Sequence, residues 1–316
     1  MPGDMSVPQD YNGTMADTNV LQTFTSDAVE GIESALERSK IIFFPECPID
    51  VPTETDARFL REELPLQTKI KNVSYHPEAD SVPRFDAPEA VQARAKQILK
   101  DHSETVTDYL KKVLPNLAPG WTVGTCSFRP LEEKGRNLKP RSSNEIMHVD
   151  AGAYGATCGD RILRFFVNLN PDLDRVWGTK GSFGSLFEQH EAFLEAARGD
   201  RGRLRMRKGI FDHCYSALIA AISKGYPLAK VIDSSPYDRA MRRIHNYMKE
   251  TEQFRSDLSN YQELRFPPFS AWMVFTDSVS HSVLSGQHAL VTTILIPLRN
   301  CRQPELAPYH ILQAAA

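Results

Sequence analysis

Apolar positions along the chain change their period more than once. Val29, Ile32 and Leu36 recur at helical spacing after Thr25-Ser26-Asp27, whose side chains can cap free amides. Ile41-Ile42-Phe43-Phe44 is an unbroken apolar run stopped by Pro45, and it reads as a short buried strand. Residues 53–64 predict another short helix, and residues 69–81 an extended segment rich in turn formers. Asp86, Pro88 and Glu89 then open a long amphipathic helix with a capping acid, an early proline and an acid in the first turn. Val91, Ile98, Leu99, Val106, Leu110 and Val113 form its stripe, and Pro115 ends it. Residues 24–118 are therefore expected to be mainly helical. Residues 1–23 are polar and without period, the composition of a loose tail.

From residue 119 the pattern is that of strands. Residues 121–129, 162–169, 262–266, 270–275 and 289–297 are rich in β-branched and aromatic side chains. The segment Ile146-Met147-His148-Val149-Asp150 reads as one more strand, followed by a small-residue turn over 151–155. Between the two strand blocks lie helical patterns over 185–197, 211–224 and 237–258, an insert of about 185–260. Strands in two separated blocks, with helices before and between, predict an α+β chain. Its core would be a double-stranded β-helix, or jelly roll, spanning 119–300 with the N-terminal helices and the insert packed on it. On this reading 24–316 is a single domain behind the tail.

Composition narrows the setting. The 316 residues are 41% hydrophobic and 24% charged, with a net charge of −3, so nothing calls for nucleic acid as a partner. Cys47, Cys126, Cys158, Cys214 and Cys301 are scattered, odd in number and without a CxxC pair. That argues against a disulfide framework or a zinc ribbon and for a reducing cytoplasm. No apolar run approaches the length of a membrane span, and the N-terminus lacks a secretory signal pattern.

The candidate chemistry lies at His148 and Asp150. Two residues apart on a strand, they share a face with about 6.6 Å between their Cβ atoms, at roughly 3.3 Å of rise per residue. A long imidazole and a short carboxylate can then converge on one ion. His281, in Ser280-His281-Ser282, would bring a second imidazole from a distant segment. Two histidines and one carboxylate on one side of an ion leave its other side open, as in non-haem Fe(II) oxygenases. HxD alone carries little information, since single histidines are usually structural and an Asp near a turn is usually a cap. A further signal is Arg164, inside the apolar run Ile162-Leu163-Arg164-Phe165-Phe166-Val167. A guanidinium there must find an anion. That anion is either an internal carboxylate or the carboxylate of a bound co-substrate, held by the planar fork. The remaining histidines, His245 included, are expected in surface or packing roles.

With these residues in place, the sequence resembles the Fe(II)/2-oxoglutarate oxygenases. Within them it is similar to the hydroxylases of 3-deoxy-D-manno-oct-2-ulosonic acid (Kdo), the inner-core sugar of lipopolysaccharide. The blocks that carry the narrower resemblance are Lys71-Asn72-Val73-Ser74-Tyr75, Ser127-Phe128-Arg129-Pro130, His148-Val149-Asp150-Ala151, Leu163-Arg164-Phe165-Phe166-Val167-Asn168, Arg175-Val176-Trp177 and His281-Ser282-Val283-Leu284-Ser285-Gly286-Gln287. The resemblance implies Fe(II) held by His148, Asp150 and His281, 2-oxoglutarate as co-substrate, and hydroxylation at C3 of Kdo. Many relatives carry an arginine about ten residues after the second histidine, where this chain reads Leu290-Val291-Thr292-Thr293. Arg164 is then the first candidate to clamp 2-oxoglutarate and Arg129 the second.

The partner expected is Kdo-bearing lipid A or another anionic glycolipid, met at the cytoplasmic face of the inner membrane. The basic run Arg198, Arg201, Arg203, Arg205, Arg207 and Lys208 is either a solvated loop or a landing patch for that surface, and Lys134 to Arg141 is a second basic stretch. The rival readings are an oxygenase of the same fold acting on another sugar, a small metabolite or a peptide; a zinc hydrolase, for which no HExxH appears; and a β-sandwich without catalysis.

Overall fold

The structure is a computed structural model describing residues 19–316 apart from 69, 137, 153–154, 227–228, 230–231 and the side chain of residue 201. Most of the tail, and two positions of the small-residue turn after Asp150, lie outside the described residues. The strands in chain order are β1 Leu21–Thr23, β2 Ile41–Phe44, β3 Val73–Tyr75, β4 Thr122–Arg129, β5 Arg161–Asn168, β6 Arg175–Thr179, β7 Gln262–Phe266, β8 Ala271–Phe275, β9 Ser282–Ser285 and β10 Ala289–Ile296. They form a seven-stranded sheet in the order β1-β2-β8-β5-β10-β4-β3 and a three-stranded sheet in the order β7-β6-β9. Every pairing is antiparallel except β1 with β2.

The helices are α1 Ile32–Glu37, α2 Glu54–Arg58, α3 Leu64–Gln67, α4 Glu89–Val113, α5 Phe183–Gln189, α6 Glu191–Arg198, α7 Ile210–Ser223, α8 Pro236–Glu250, α9 Glu252–Ser256 and α10 Pro308–Ala314. α5 to α9 make up the expected insert.

Side-chain alternation on the central strands divides the core. On β5, Leu163, Phe165 and Val167 enter the layer shared with the α4 stripe residues Ile98, Leu99, Val106 and Leu110. Phe166 enters the other layer, between the sheets, with Trp177, Phe266 and Trp272. Arg164 has the parity of Phe166, so it also points between the sheets. Central strands covered on both faces read as continuous apolar runs, which is why β5, β8 and β10 stand out in the sequence.

Several expectations fail at element ends. Thr25-Ser26-Asp27 does not cap a helix. A short bridge joins Thr25 to Ala28, and α1 begins after Gly31 at φ 83°. Leu21–Thr23 is not tail but an edge strand beside β2. Asp86 is not the cap of α4, which starts from Pro88. β6 was missed because Gly178 interrupts its apolar pattern. A side chain there has no room, since an added Cβ would lie 2.6 Å from the Tyr261 hydroxyl and 2.8 Å from Ser282 Oγ.

The two-layer account makes a prediction. Phe165→Ala removes a fully buried ring that faces Tyr109 of α4, with centroids 6.0 Å apart. It should lower the unfolding free energy by about 3–5 kcal/mol in denaturant titration. A loss below about 1 kcal/mol would mean that this layer is not the packed core.

Candidate metal centre

His148 does not lie in a regular strand. It forms an isolated antiparallel bridge with His281. The His148 N–H donates to the His281 carbonyl at 3.0 Å, and the His281 N–H donates back to His148 at 2.8 Å. One step on, the Val283 N–H donates to the Asn144 carbonyl, so residues 144–148 lie along the free edge of β9. The Asp150 N–H donates to the Thr276 carbonyl at 2.8 Å. Period-2 geometry thus holds locally although the ladder does not extend. Met147 and Val149 are buried among insert side chains including Phe183, Phe193, Met241 and Ile244. His148 and Asp150 face the opposite way, into a cavity of about 280 Å³ that Arg164, Trp177 and His281 also line.

One ligand atom from each of His148, Asp150 and His281 lies within 4.8 Å of the others. The imidazole centroids are 4.5 Å apart, and His148 Nε2 stands 3.9 Å from Asp150 Oδ1. His148 Nδ1 faces the Ile146 carbonyl at 2.7 Å, and His281 Nδ1 faces the Val279 carbonyl at 3.0 Å. A carbonyl only accepts, so each Nδ1 carries the proton and each Nε2 presents a lone pair. Burial holds both imidazoles neutral, pushing His281 down to about 4 and His148 well below its ordinary value. Burial alone would raise Asp150, but the Arg164 guanidinium foremost, with a hydrogen bond from the Thr276 side chain, outweighs it and keeps the carboxyl ionised. Two neutral imidazoles and one carboxylate, all but closed to solvent, are the donor set of a non-haem Fe(II) site, and the residues fit that ion.

Arg164 Nη2 lies 3.1 Å from Asp150 Oδ2, so the guanidinium found its internal carboxylate. Among the described residues its Nε has no hydrogen-bond partner, nor does Nε of buried Arg129. Arg129 Nη1 is 2.9 Å from Glu133, which also approaches fully buried Arg175 at 3.7 Å. The cavity is lined by five cationic side chains, Lys71, Arg129, Arg141, Arg164 and Lys249, against one carboxylate, Asp150. Arg129 is paired with Glu133 and Arg141 with Glu250 at 2.6 Å, which leaves Lys71 and Lys249 as the cavity cations with no carboxylate partner among the described residues. Burial lowers Lys71 and Lys249 to about 8 each, so both remain largely charged at neutral pH.

His245 has the expected packing role, and it also lines the cavity. It stands on α8 with its ring 5.0 Å from that of His148, and its Nδ1 donates to the Val149 carbonyl at 2.7 Å. Lys249, one turn on, lines the same cavity. Their spacing of four on a helical pattern was the available signal. Trp177, from the missed strand, stacks on His281 with centroids 5.2 Å apart.

The chain matches the family model described as 3-deoxy-D-manno-oct-2-ulosonic acid (Kdo) hydroxylase over residues 19–316. Among solved structures it is similar to the Kdo hydroxylase KdoO, a non-heme Fe(II) alpha-ketoglutarate dependent dioxygenase. Against the apo form of that protein, and its complex with alpha-ketoglutarate and Fe(III), identity is 24%. The TM-score is 0.75, covering 93% of this chain and 95% of the other. Against its cobalt(II) complex, identity is 25% and the TM-score 0.74, covering 94% and 95%. These likenesses bear out the jelly-roll expectation. No curated protein sequence matches.

Two outcomes are expected in calorimetric titration with Mn(II), a redox-inert stand-in. His148→Ala should abolish stoichiometric binding; retained binding would remove His148 from the ligand set. A histidine held below its ordinary 6.5 stays ready to ligate as pH falls, and loses that state only near its folded value of about 4. Affinity at about pH 5.5 should therefore stay within roughly tenfold of its neutral value. A fall beyond about thirtyfold would mean that the imidazoles are not held neutral.

Proposed function

The chain belongs to the Kdo hydroxylase family, and from that premise we propose that His148, Asp150 and His281 hold the Fe(II) with which it hydroxylates its sugar. The protein is a 2-oxoglutarate-dependent non-haem iron dioxygenase acting on Kdo. The observation that carries the site assignment is the convergence of the three buried ligand atoms within 4.8 Å. The bound iron supplies activation of dioxygen, coupled to oxidation of 2-oxoglutarate to succinate and carbon dioxide.

The chain's own side chains do the rest. The Nδ1–H bonds of His148 and His281 to backbone carbonyls fix both tautomers before any metal arrives. Asp150 is the one carboxylate lining the cavity among the described residues, and Arg164 already leans on it. When Asp150 gives its charge to a cation, Arg164 needs another anion, and the far carboxylate of 2-oxoglutarate supplies it. Arg129, on the same face of the large sheet two strands away, is the second guanidinium in reach of that carboxylate. Phe166, Trp177 and Val283 form the apolar wall that limits water around the reacting atoms.

Lys71, Lys249 and His245 stand on other parts of the cavity wall. The two lysines receive the sugar carboxylate and neighbouring phosphates, while His245, its proton on Nδ1, accepts from a sugar hydroxyl at Nε2, and together they orient the sugar for hydroxylation at C3. The substrate is Kdo on lipid A or a similar anionic glycolipid, and the protein works at the cytoplasmic face of the inner membrane as a peripheral enzyme.

The test is anaerobic loading with Fe(II) and 2-oxoglutarate, then addition of oxygen and Kdo-containing lipid. Succinate should form together with a lipid heavier by one oxygen atom; succinate formation that never depends on Kdo would overturn the substrate assignment. Arg164→Ala should raise the KM for 2-oxoglutarate at least tenfold, the value of about 1.5–3 kcal/mol for a hydrogen bond to a charged group. An unchanged KM, with a raised one in Arg129→Ala, would move the clamp to Arg129.

A further inference from the structure

α7 turns only Ile219 and Ser223 inward. Phe211, Tyr215, Leu218 and Ile222 recur at spacings of four, three and four, which puts them on one helix face. They are 90%, 44%, 58% and 43% exposed, and Ile210 at 81% and Tyr226 at 76% extend the strip at its ends. A contiguous apolar stripe of this kind marks a surface that meets something.

The flank of the stripe identifies what. Arg203, Arg205 and Arg207 stand exposed just before α7, and among the described residues none of the three has a charged partner. Arg203 and Arg205 line a cavity of about 580 Å³ together with Arg198, Arg239, Arg243 and Phe211, the first ring of the stripe. Of the acids there, Asp212 is already held by Arg239 at 2.7 Å. Unpaired guanidiniums along the edge of an exposed apolar helix match the layers of an anionic bilayer, with phosphates above and acyl chains below. A protein groove that took the stripe would have to supply carboxylates along the same edge.

We propose that α7 and its arginine flank dock onto anionic phospholipid membrane, with the stripe at the acyl boundary and Arg203, Arg205 and Arg207 among headgroup phosphates. The proposal deepens the reading that the substrate is a lipid-linked sugar, and rests on it for its purpose. α8 joins the two places. Arg239 lines the basic cavity and Lys249 the metal cavity, ten residues or about 15 Å further along the same helix. Docking through α7 therefore brings the metal cavity close to the surface where such a sugar is displayed.

The test is flotation of the full chain with vesicles of phosphatidylethanolamine and phosphatidylglycerol, beside vesicles of phosphatidylcholine alone. Wild type should float with the anionic vesicles and bind the neutral ones at least tenfold more weakly. Phe211→Ser with Leu218→Ser, and separately Arg203→Ser with Arg205→Ser, should each weaken anionic binding at least tenfold. In a Leu218→Trp variant, anionic vesicles should shift the tryptophan emission to the blue. Wild type that stays in solution, or undiminished binding by both double variants, overturns the proposal. So does a wild-type dimer by light scattering that the serine variants dissolve, since the stripe would then be covered by a second copy. Succinate formation on a delipidated, water-soluble Kdo oligosaccharide separates this from the activity. All these variants should retain it, and its absence in wild type would strike the assigned substrate while vesicle binding still decides the docking.

Discussion

Two backbone hydrogen bonds between His148 and His281 carry the site. They join segments more than a hundred residues apart in sequence and set both imidazoles on one side of the joint. Neither bond is part of a long ladder, so the position must be held from elsewhere. Met147 and Val149 do this by pointing away from the cavity into the apolar cluster under α8. A slip by one residue would exchange the two faces, burying an imidazole and a carboxylate among Phe183, Phe193 and Met241. The helical insert is thus part of the metal centre.

Electrostatics follows from the same arrangement. The two sheets enclose an apolar layer of Phe166, Trp177, Phe266 and Trp272, and the cavity opens at its edge. At that edge Glu133, Glu250 and Asp150 answer Arg129, Arg141 and Arg164, and Lys71 and Lys249 are left to meet an anionic ligand. Arg164 contributes to both states. It keeps Asp150 ionised, and it would be left in need of a counter-charge if Asp150 served a metal.

Much of this was legible in the sequence. Ile41–Phe44 and the runs at β5, β8 and β10 were found because strands covered on both faces carry unbroken apolar patterns. His148, Asp150 and His281, whose residue types and spacing suggested a shared ion, do converge within 4.8 Å. Arg164 stood out as a charge in an apolar strand, and of the two readings open for it the internal carboxylate is met by Asp150. What was missed has physical reasons too. β6 was hidden by Gly178, whose small size answers to Tyr261 and Ser282, residues far along the chain. His245 and Lys249 looked like an ordinary polar helix face, because nothing local says which side of α8 meets the cavity. Caps failed at Asp27 and Asp86, where tertiary packing moved the helix starts past the best local capping residues.

The central claim is that this one bridge assembles a single ion site. The most direct measurement is anomalous diffraction from crystals grown anaerobically with Mn(II) and 2-oxoglutarate. The account predicts one strong peak bounded by Nε2 of His148, Nε2 of His281 and the carboxylate of Asp150. A peak that excludes either imidazole, or none in this cavity, would contradict it.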